Sequence, residues 1–389
     1  MSDSATTVGT AGGPEKVLIV GAGIMGLSIA WALARQGLSV EVFDQGPIPN
    51  PVSSSHDEHR INRHAYGKLT GYARMMPQAF KAWDAMWADL GVSHFEATGG
   101  VYVLRHEDGW YESTKEQLGE LGVPFNDLAL DEVVAHYPML RPDGIERAVF
   151  VGGSGLLFPT RILTDLVVHL SELGVRFHAR SKVSEVDPER GTVTTAADTF
   201  SGDAVVVAAG AWVGRLVPSF AASVTPSRQA VLYLAPPPEM AKAWRTAPVI
   251  VVREKDAGLY ALPPRRGTRL KIGDHRFSLT GDPDEDRAAT EEDIAPVWNA
   301  LVRAYRDMDA YTIIDPKACF YTVTADETFK VAALGGRGWA VSACSGHGFK
   351  LAPLIASGTA AAVRGLVPSE DVSDWAAARA PHRLKLFDE

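Results

Sequence analysis

The sequence predicts a two-domain chain of mixed class, an α/β domain around a parallel sheet joined to an α+β domain with a sheet of its own. Three observations predict it. At 389 residues the chain exceeds the reach of one hydrophobic core, so two domains of roughly 150–200 residues are expected. Lys16 to Asp44 runs strand, glycine-rich turn, helix, strand within about 30 residues, the length of one βαβ unit. Residues 223–324 alternate apolar strands with a single helical stretch, which is α+β patterning.

Composition narrows the class further. An apolar fraction of 46% with 22% charged residues describes a globular chain. The formal net charge of -9 argues against a nucleic-acid partner or an anionic membrane surface, because phosphate attracts basic faces. Two cysteines, Cys319 and Cys344, are too few for a disulfide framework and suit a reducing compartment, so a cytoplasmic location is the default. Residues 1–13 are small and polar, with neither the basic start nor the apolar centre of a signal peptide, and read as a flexible tail. No apolar run approaches the ~20 residues that cross a bilayer, so a soluble chain is expected.

The elements follow in order. Lys16 to Val20 is a β-branched run entering Gly21-Ala-Gly-Ile-Met-Gly26, a helix from Leu27 to Gln36 ends at Gly37, and Ser39 to Phe43 is a second strand. A loop rich in Pro and Ser leads into the segment from His56 to Tyr66, which is too charged for a core and reads as a loop. Residues Tyr72 to Leu90 have helical spacing, and Gly100 to Leu104 is a strand leading away from the first domain, which puts a boundary near residue 90. A helix from Thr160 to Leu173 precedes strands at Val175 to His178 and Val183 to Val186. The run Ala204 to Gly210 then reads as a buried parallel strand whose carboxyl end abuts a ligand. Strands at Ala230 to Leu234, Val249 to Val252, Leu259 to Leu262 and Leu270 to Ile272 and a helix from Glu291 to Met308 form the second domain. The strand Trp339 to Ala343 and the helix Phe349 to Arg364 return to the first. The predicted division is therefore residues 14–90, 151–222 and 325–389 against 91–150 and 223–324.

The glycines Gly21, Gly23 and Gly26 sit between strand and helix, with Asp44 about 20 residues on, which makes the motif a Rossmann-type dinucleotide fingerprint. Gly21 permits the tight turn, Gly23 lets the backbone approach a pyrophosphate, Gly26 allows close helix packing, and Asp44 binds the ribose hydroxyls. The motif does not separate NAD from FAD.

Four further segments are more specific: Ser53-Ser-Ser-His56-Asp-Glu-His59-Arg60-Ile-Asn-Arg63-His64-Ala-Tyr66-Gly67, Leu270-Lys271-Ile-Gly273-Asp-His275, Cys319-Phe-Tyr321-Thr322 and Ser345-Gly-His-Gly-Phe-Lys350. Together, in this order and at similar separations, they resemble the monomeric sarcosine oxidase and N-methyltryptophan oxidase family over nearly the whole chain after Glu15. The resemblance implies FAD bound covalently through its 8α-methyl group to Cys319, with cofactor contacts from Ser54, His56, Arg60, Val183, Gly210, Gly348 and Lys350. It implies a substrate carboxylate held by Arg63 and Lys350, approached by the backbone of Gly346, in a cavity lined by Tyr260 and His275, with Tyr321 a further catalytic candidate two residues after the flavin-bearing position. Lys271 matches the lysine that assists oxygen reduction, and Arg60 the arginine beside the flavin ring. The implied activity is oxidation of an N-methyl or cyclic imino amino acid by hydride transfer from the carbon next to nitrogen to flavin N5. Reoxidation by O2 then gives H2O2, in a monomer. A carboxylate taken out of water needs fixed cations, which gives an Arg and a Lys facing one ligand an independent rationale.

Other readings compete. A primary-amine oxidase or a dehydrogenase feeding another acceptor would share the nucleotide motif. A non-catalytic dinucleotide module would need neither Lys271 nor Lys350. His56, His59 and His64 with Asp57 and Glu58 have the chemistry of metal ligands but lack a second ligand cluster, so no metal is expected. Gly152-Gly-Ser154-Gly155 carries Leu156 where a serine-hydrolase elbow needs glycine. Cys344 reads as a small buried packing residue. Arg265 and Arg266 depart from the family pattern and read as surface charge.

Overall fold

A computed structural model describes residues 13–255 and 258–387. The tail predicted for residues 1–13 therefore lies almost wholly outside the described residues.

Two large sheets dominate. The first runs, strand by strand, Lys330–Ala333, Gly338–Ser342, Ala204–Val207, Lys16–Val20, Ser39–Phe43, Arg176–His178, and is parallel except for its Lys330–Ala333 edge. Val17 pairs with Ala204 and Val20 with both Val207 and Phe43, so the glycine turn emerges beside two other strand ends. The helix Ile24–Ala34 is buried all round, packed on the alanine-rich helix Ala352–Val363 and on Pro159–Glu172. Its small residues let helices approach closely, and Trp31, Leu27 and Ile29 fill the space at about 1.5–3 kcal/mol for each large side chain buried.

The second sheet has eight strands, in the order Thr312–Val323, Thr225–Ala235, Leu270–Asp274, Gly258–Leu262, Val249–Arg253, Gly100–Leu104, Arg147–Val151, Phe125–Asp127. All pairs are antiparallel except Val249–Arg253 with Gly100–Leu104. Its strands alternate in facing, with one irregularity of register between Tyr233 and Leu234. Leu232, Ile250, Val252, Leu259, Ala261, Leu270 and Ile272 point to one face, where they pack on Val297, Ala300, Leu301 and Ala304 of the helix Glu291–Ala304. The intervening residues belong to the opposite face.

Two expectations need correction, on the helix after Glu291 and on the segment after His56, while the strand expected at Val183 is present. The helix expected to reach Met308 ends at Ala304, because Tyr305 turns to extended backbone, buries its ring against Trp244, and is followed by Asp307 in the left-handed region. The strand at Val183 stands outside both large sheets, in a three-stranded antiparallel sheet with Thr192–Thr195 and Thr199–Ser201. Its exposed Ser184 and Glu185 do not suit a sheet covered on both faces. The segment from His56 to Tyr66 is not an exposed loop either. Arg60–Asn62 is a strand paired with Gly155–Leu157, and His59 and Asn62 are buried. Among the described residues no helix is long and apolar enough to cross a membrane.

Candidate active site

A cavity of about 700 Å³ opens between the carboxyl ends of the parallel strands and the open face of the eight-stranded sheet. Gly21, Gly23, Asp44, Ser54, Arg60, Val183 and Gly210 line one end. Gly21 has φ +109, and a Cβ there would sit 2.4 Å from the Ala208 carbonyl. Gly26 is outside the lining, and a Cβ on it would lie 1.8 Å from the Gly21 carbonyl, so this glycine serves packing. Asp44 accepts from the Ala22 and Gly46 amides at 2.9 Å and from Asn50 at 2.8 Å, which leaves lone-pair capacity for a further donor. Ser55 accepts from the amide of Ile24 at 2.9 Å, so its own hydroxyl proton is free to donate. Thr322 Oγ1 and Ser342 Oγ are buried in cavity-lining residues without a partner among the described residues. Glycine turn, anchored carboxylate and unpartnered hydroxyls together fit a dinucleotide.

The other end is built by sheet register. Lys271 faces Tyr233 and Leu262 across its two neighbours, Gly273 faces Tyr260, and Tyr260 faces Val251. Gln229 faces Cys319 and Ser227 faces Tyr321. Since opposite residues in a ladder share a face, Cys319, Tyr321, Lys271, Tyr260 and Arg253 all lie on the side away from the helix-covered core. Gly273 keeps this face open, as a Cβ there would meet the Tyr260 hydroxyl at 2.5 Å.

At the centre stands Asp57, a residue that the sequence reading weighed only as a metal ligand. Its carboxylate is buried and bonded to Arg60, Lys271 and the hydroxyl of Tyr233. Burial alone would raise its pKa, but the charges of Arg60 and then Lys271 hold it well below the usual carboxylate range. Lys271 is wholly buried, and its pKa is pushed down to about 8, first by burial and then by the Arg60 charge, with Asp57 opposing. Arg60 also donates to the Ser54 carbonyl at 2.8 Å. Glu58 pairs instead with Arg269.

Arg63 and Lys350 lie against one ring, the guanidinium 5.3 Å and the ammonium 5.4 Å from the centroid of Tyr66. Lys350 is 5% exposed and donates to the His347 carbonyl at 3.2 Å. Among the described residues neither cation has a carboxylate partner, and burial followed by the charge of Arg63 drives the Lys350 pKa well below its ordinary value. His275 presents its ring to the open cavity, held neutral by desolvation and by Arg63, Lys350 and Arg253. Gly346, with φ +73, brings backbone close to Tyr321, and a Cβ there would lie 2.8 Å from that ring. Gly348 also lines the cavity.

Three placements differ from expectation. His56 and Cys319 are not among the cavity-lining residues, although Cys319 feels the charges of Arg60 and Lys271. Those cations do not prevail: burial is the largest influence and the thiol is pushed up. Cys344 is no core packing residue. It follows a strand end and so reaches the cavity wall half-buried, where its Sγ accepts from the Thr322 amide at 3.4 Å. Arg265 is not simply surface charge, since it is 15% exposed, pairs with Glu96 at 3.1 Å and donates to the Ala247 carbonyl at 2.6 Å. Arg266 pairs with the same Glu96. Neither arginine lines the cavity.

Sequence reasoning passed over Asp57, Tyr66 and Arg253. The spacing Asp57 to Arg60 was a readable signal of an ion pair; Arg253, at the end of the apolar strand Val249–Arg253, gave none.

Comparison with known proteins agrees with this geometry. The pattern of the FAD dependent oxidoreductase family (DAO) matches residues 16–362. N-methyl-L-tryptophan oxidase of Yersinia pestis is 26% identical over 370 residues, 93% of this chain and 98% of that protein. Among solved structures, L-proline dehydrogenase from P. horikoshii superposes with a TM-score of 0.79 at 20% identity, covering 96% of this chain and 99% of that one. NikD, an unusual amino acid oxidase essential for nikkomycin biosynthesis, superposes at 0.77 with 17% identity, covering 92% and 95%. The two superpositions establish a shared fold.

Proposed function

The chain belongs to the FAD dependent oxidoreductase family, and from that premise we propose that it oxidises a secondary amino acid, N-methylated or cyclic, at the carbon next to nitrogen. Bound FAD supplies the two-electron acceptor for a hydride and passes the electrons to O2, giving H2O2. The observation that carries the reading is the pair Arg63 and Lys350, two cations on one aromatic ring with no carboxylate partner among the described residues. A substrate carboxylate would complete that charge balance and turn the α-carbon toward the open sheet face. Kinship with N-methyl-L-tryptophan oxidase supports the substrate class.

In this reading the chain's own residues divide the work. Arg63 and Lys350 grip the carboxylate, and the Gly346 backbone approaches the substrate. Tyr260 and Tyr321, both buried, wall the amine, with the exposed His275 at the rim of the cavity. Lys271 supplies positive charge where oxygen is reduced. Arg60, fixed by Asp57 and the Ser54 carbonyl, would hold the flavin ring. Asp44, Gly21 and Gly23 hold the adenosine end, with Ser54, His56, Val183, Gly210, Gly348 and Lys350 completing the cofactor contacts. Cys319 is the proposed covalent anchor. The two sheets correspond to a cofactor domain (14–90, 151–222, 325–389) and a substrate domain (91–150, 223–324), in a monomeric cytoplasmic enzyme. One observation favours a second reading, electron delivery to an acceptor other than O2: Asp57 already neutralises Lys271.

A peroxide-coupled screen of sarcosine, other N-methyl amino acids, proline, pipecolate and unsaturated cyclic imino acids tests the activity. Anaerobic bleaching of the flavin by the same compounds without aerobic peroxide would favour the second reading; no bleaching by any of them would sink both. Acid precipitation tests the anchor, with flavin retained by the wild-type pellet and released by Cys319→Ser.

A further inference from the structure

The substrate end of the cavity holds more positive charge than one carboxylate requires. Arg253 closes the strand Val249–Arg253 and lines the cavity on the same sheet face as Tyr260, since Val251 faces Tyr260 and Arg253 faces Gly258. Its guanidinium lies 5.0 Å over Trp110 and donates from Nη2 to Asp108 at 3.1 Å. Asp108 also faces Lys68 at 3.6 Å, so one carboxylate answers two cations. The neighbouring Glu254 is engaged by Arg303 at 3.0 Å. Among the described residues Arg253 Nε is buried with no acceptor, and Asp108 is the one carboxylate bonded to this guanidinium. Arg253 is also close enough to Arg63 for their charges to oppose each other, and both act on His275.

Resting on the reading above, in which one carboxylate engages Arg63 and Lys350, we infer that the substrate carries a second anionic group, a side-chain carboxylate, and that Arg253 receives it. The preferred substrates are then N-methyl or cyclic imino acids with an acidic side chain. A second carboxylate would accept from the accessible edge of the guanidinium, a side chain 31% exposed that Asp108 engages only through Nη2, and would offset the mutual repulsion of Arg253 and Arg63. Lys68, exposed on the lining and sharing Asp108 with Arg253, adds positive charge to the approach of a dianion.

The test is equilibrium binding to the oxidised holoenzyme, read by the flavin absorbance change and by calorimetry, with acetate and butyrate set against succinate and glutarate. These acids are not oxidised, so binding is measured apart from turnover. The dicarboxylates are expected to bind about tenfold or more tightly than the monocarboxylates. Arg253→Gln should collapse that ratio to within about twofold, and Arg253→Lys should retain part of it. Dicarboxylates that bind wild-type protein no more tightly, or a ratio that survives in Arg253→Gln, overturn the inference while leaving the carboxylate grip of Arg63 and Lys350 intact. Failure of both classes of acid to bind overturns the grip itself and the inference with it. Should Arg253→Gln not fold, the wild-type ratio and Arg253→Lys still decide.

Discussion

Two of the lysines lining this cavity are buried, one 0% and the other 5% exposed, yet their surroundings are opposite. Lys271 finds its counter-ion within the chain, the carboxylate of Asp57, which Arg60 and Tyr233 also share. Lys350 meets a carbonyl at 3.2 Å and the ring of Tyr66 but no carboxylate among the described residues, with Arg63 beside it adding like charge. A buried charge answered by the chain belongs to the fold as much as to the site, whereas one left unanswered is a vacancy for a ligand's charge. The difference separates what holds the molecule together from what the molecule binds.

The strongest way to break that distinction is to remove each partner in turn. Asp57→Ala strands two buried cations and is expected to lower unfolding free energy by about 3–5 kcal/mol. Lys350→Met, which removes an unanswered charge at similar volume, should cost less than about 1 kcal/mol. Urea unfolding of the two variants side by side settles it, and equal losses would abolish the contrast.

Affinity should show the reverse order. Arg63→Met or Lys350→Met is expected to weaken binding of the carboxylate substrate by about 2–5 kcal/mol while amines lacking the carboxylate lose little. An unchanged apparent affinity in either variant would mean that the two cations serve something other than the substrate. Lys271→Met belongs to a different step: anaerobic flavin reduction should persist while stopped-flow reoxidation slows by about a hundredfold or more. Reoxidation in the wild type should also decline as pH rises through about 8, where Lys271 loses its proton.

The smallest effects lie in the pH dependence of stability. Asp57 has a depressed pKa in the fold, so its contribution is present above the ordinary carboxylate value and lost as pH falls. His59, pushed from 6.5 down to about 3, chiefly by burial, adds to the same acid limb, since between those values only the unfolded chain takes up the proton. Lys350 and Lys271 act oppositely. Their pKa values lie below that of a free lysine, so stability rises with pH toward the ordinary lysine value, and Lys350→Met should flatten that alkaline limb without touching the acid one. A wild-type and Lys350→Met pair with identical alkaline limbs would contradict the assignment.

Legibility in the sequence followed the distance over which each feature is encoded. Gly21 to Asp44 could be read from residue types alone, because strand, turn, helix and strand are contiguous and the hydrogen bond from Ala22 to Asp44 closes within 22 residues. Cys319, Lys271 and Tyr260 come together through pairings between separate strands, and only family resemblance suggested that they share a site. Asp57 was misread for a further reason. A polar stretch looks solvent-exposed until the cation that neutralises it, Lys271, is seen to arrive from 214 residues away. Arg253 and Cys344 carry no local signature at all; both owe their places on the wall to strand ends.

The alternation of the eight-stranded sheet has a consequence for how such an enzyme can change its diet. Positions 251, 253, 260 and 262 face the cavity, while 250, 252, 259 and 261 face the helix-covered core. Point substitutions on the first set can respecify what is recognised without disturbing the second, so new preferences can accumulate one residue at a time. An insertion or deletion of a single residue within these strands has no such freedom, because it exchanges the two sets and would ruin recognition and folding in the same stroke. Divergence among relatives of this chain should therefore be written in substitutions along these strands and in length changes confined to the turns between them.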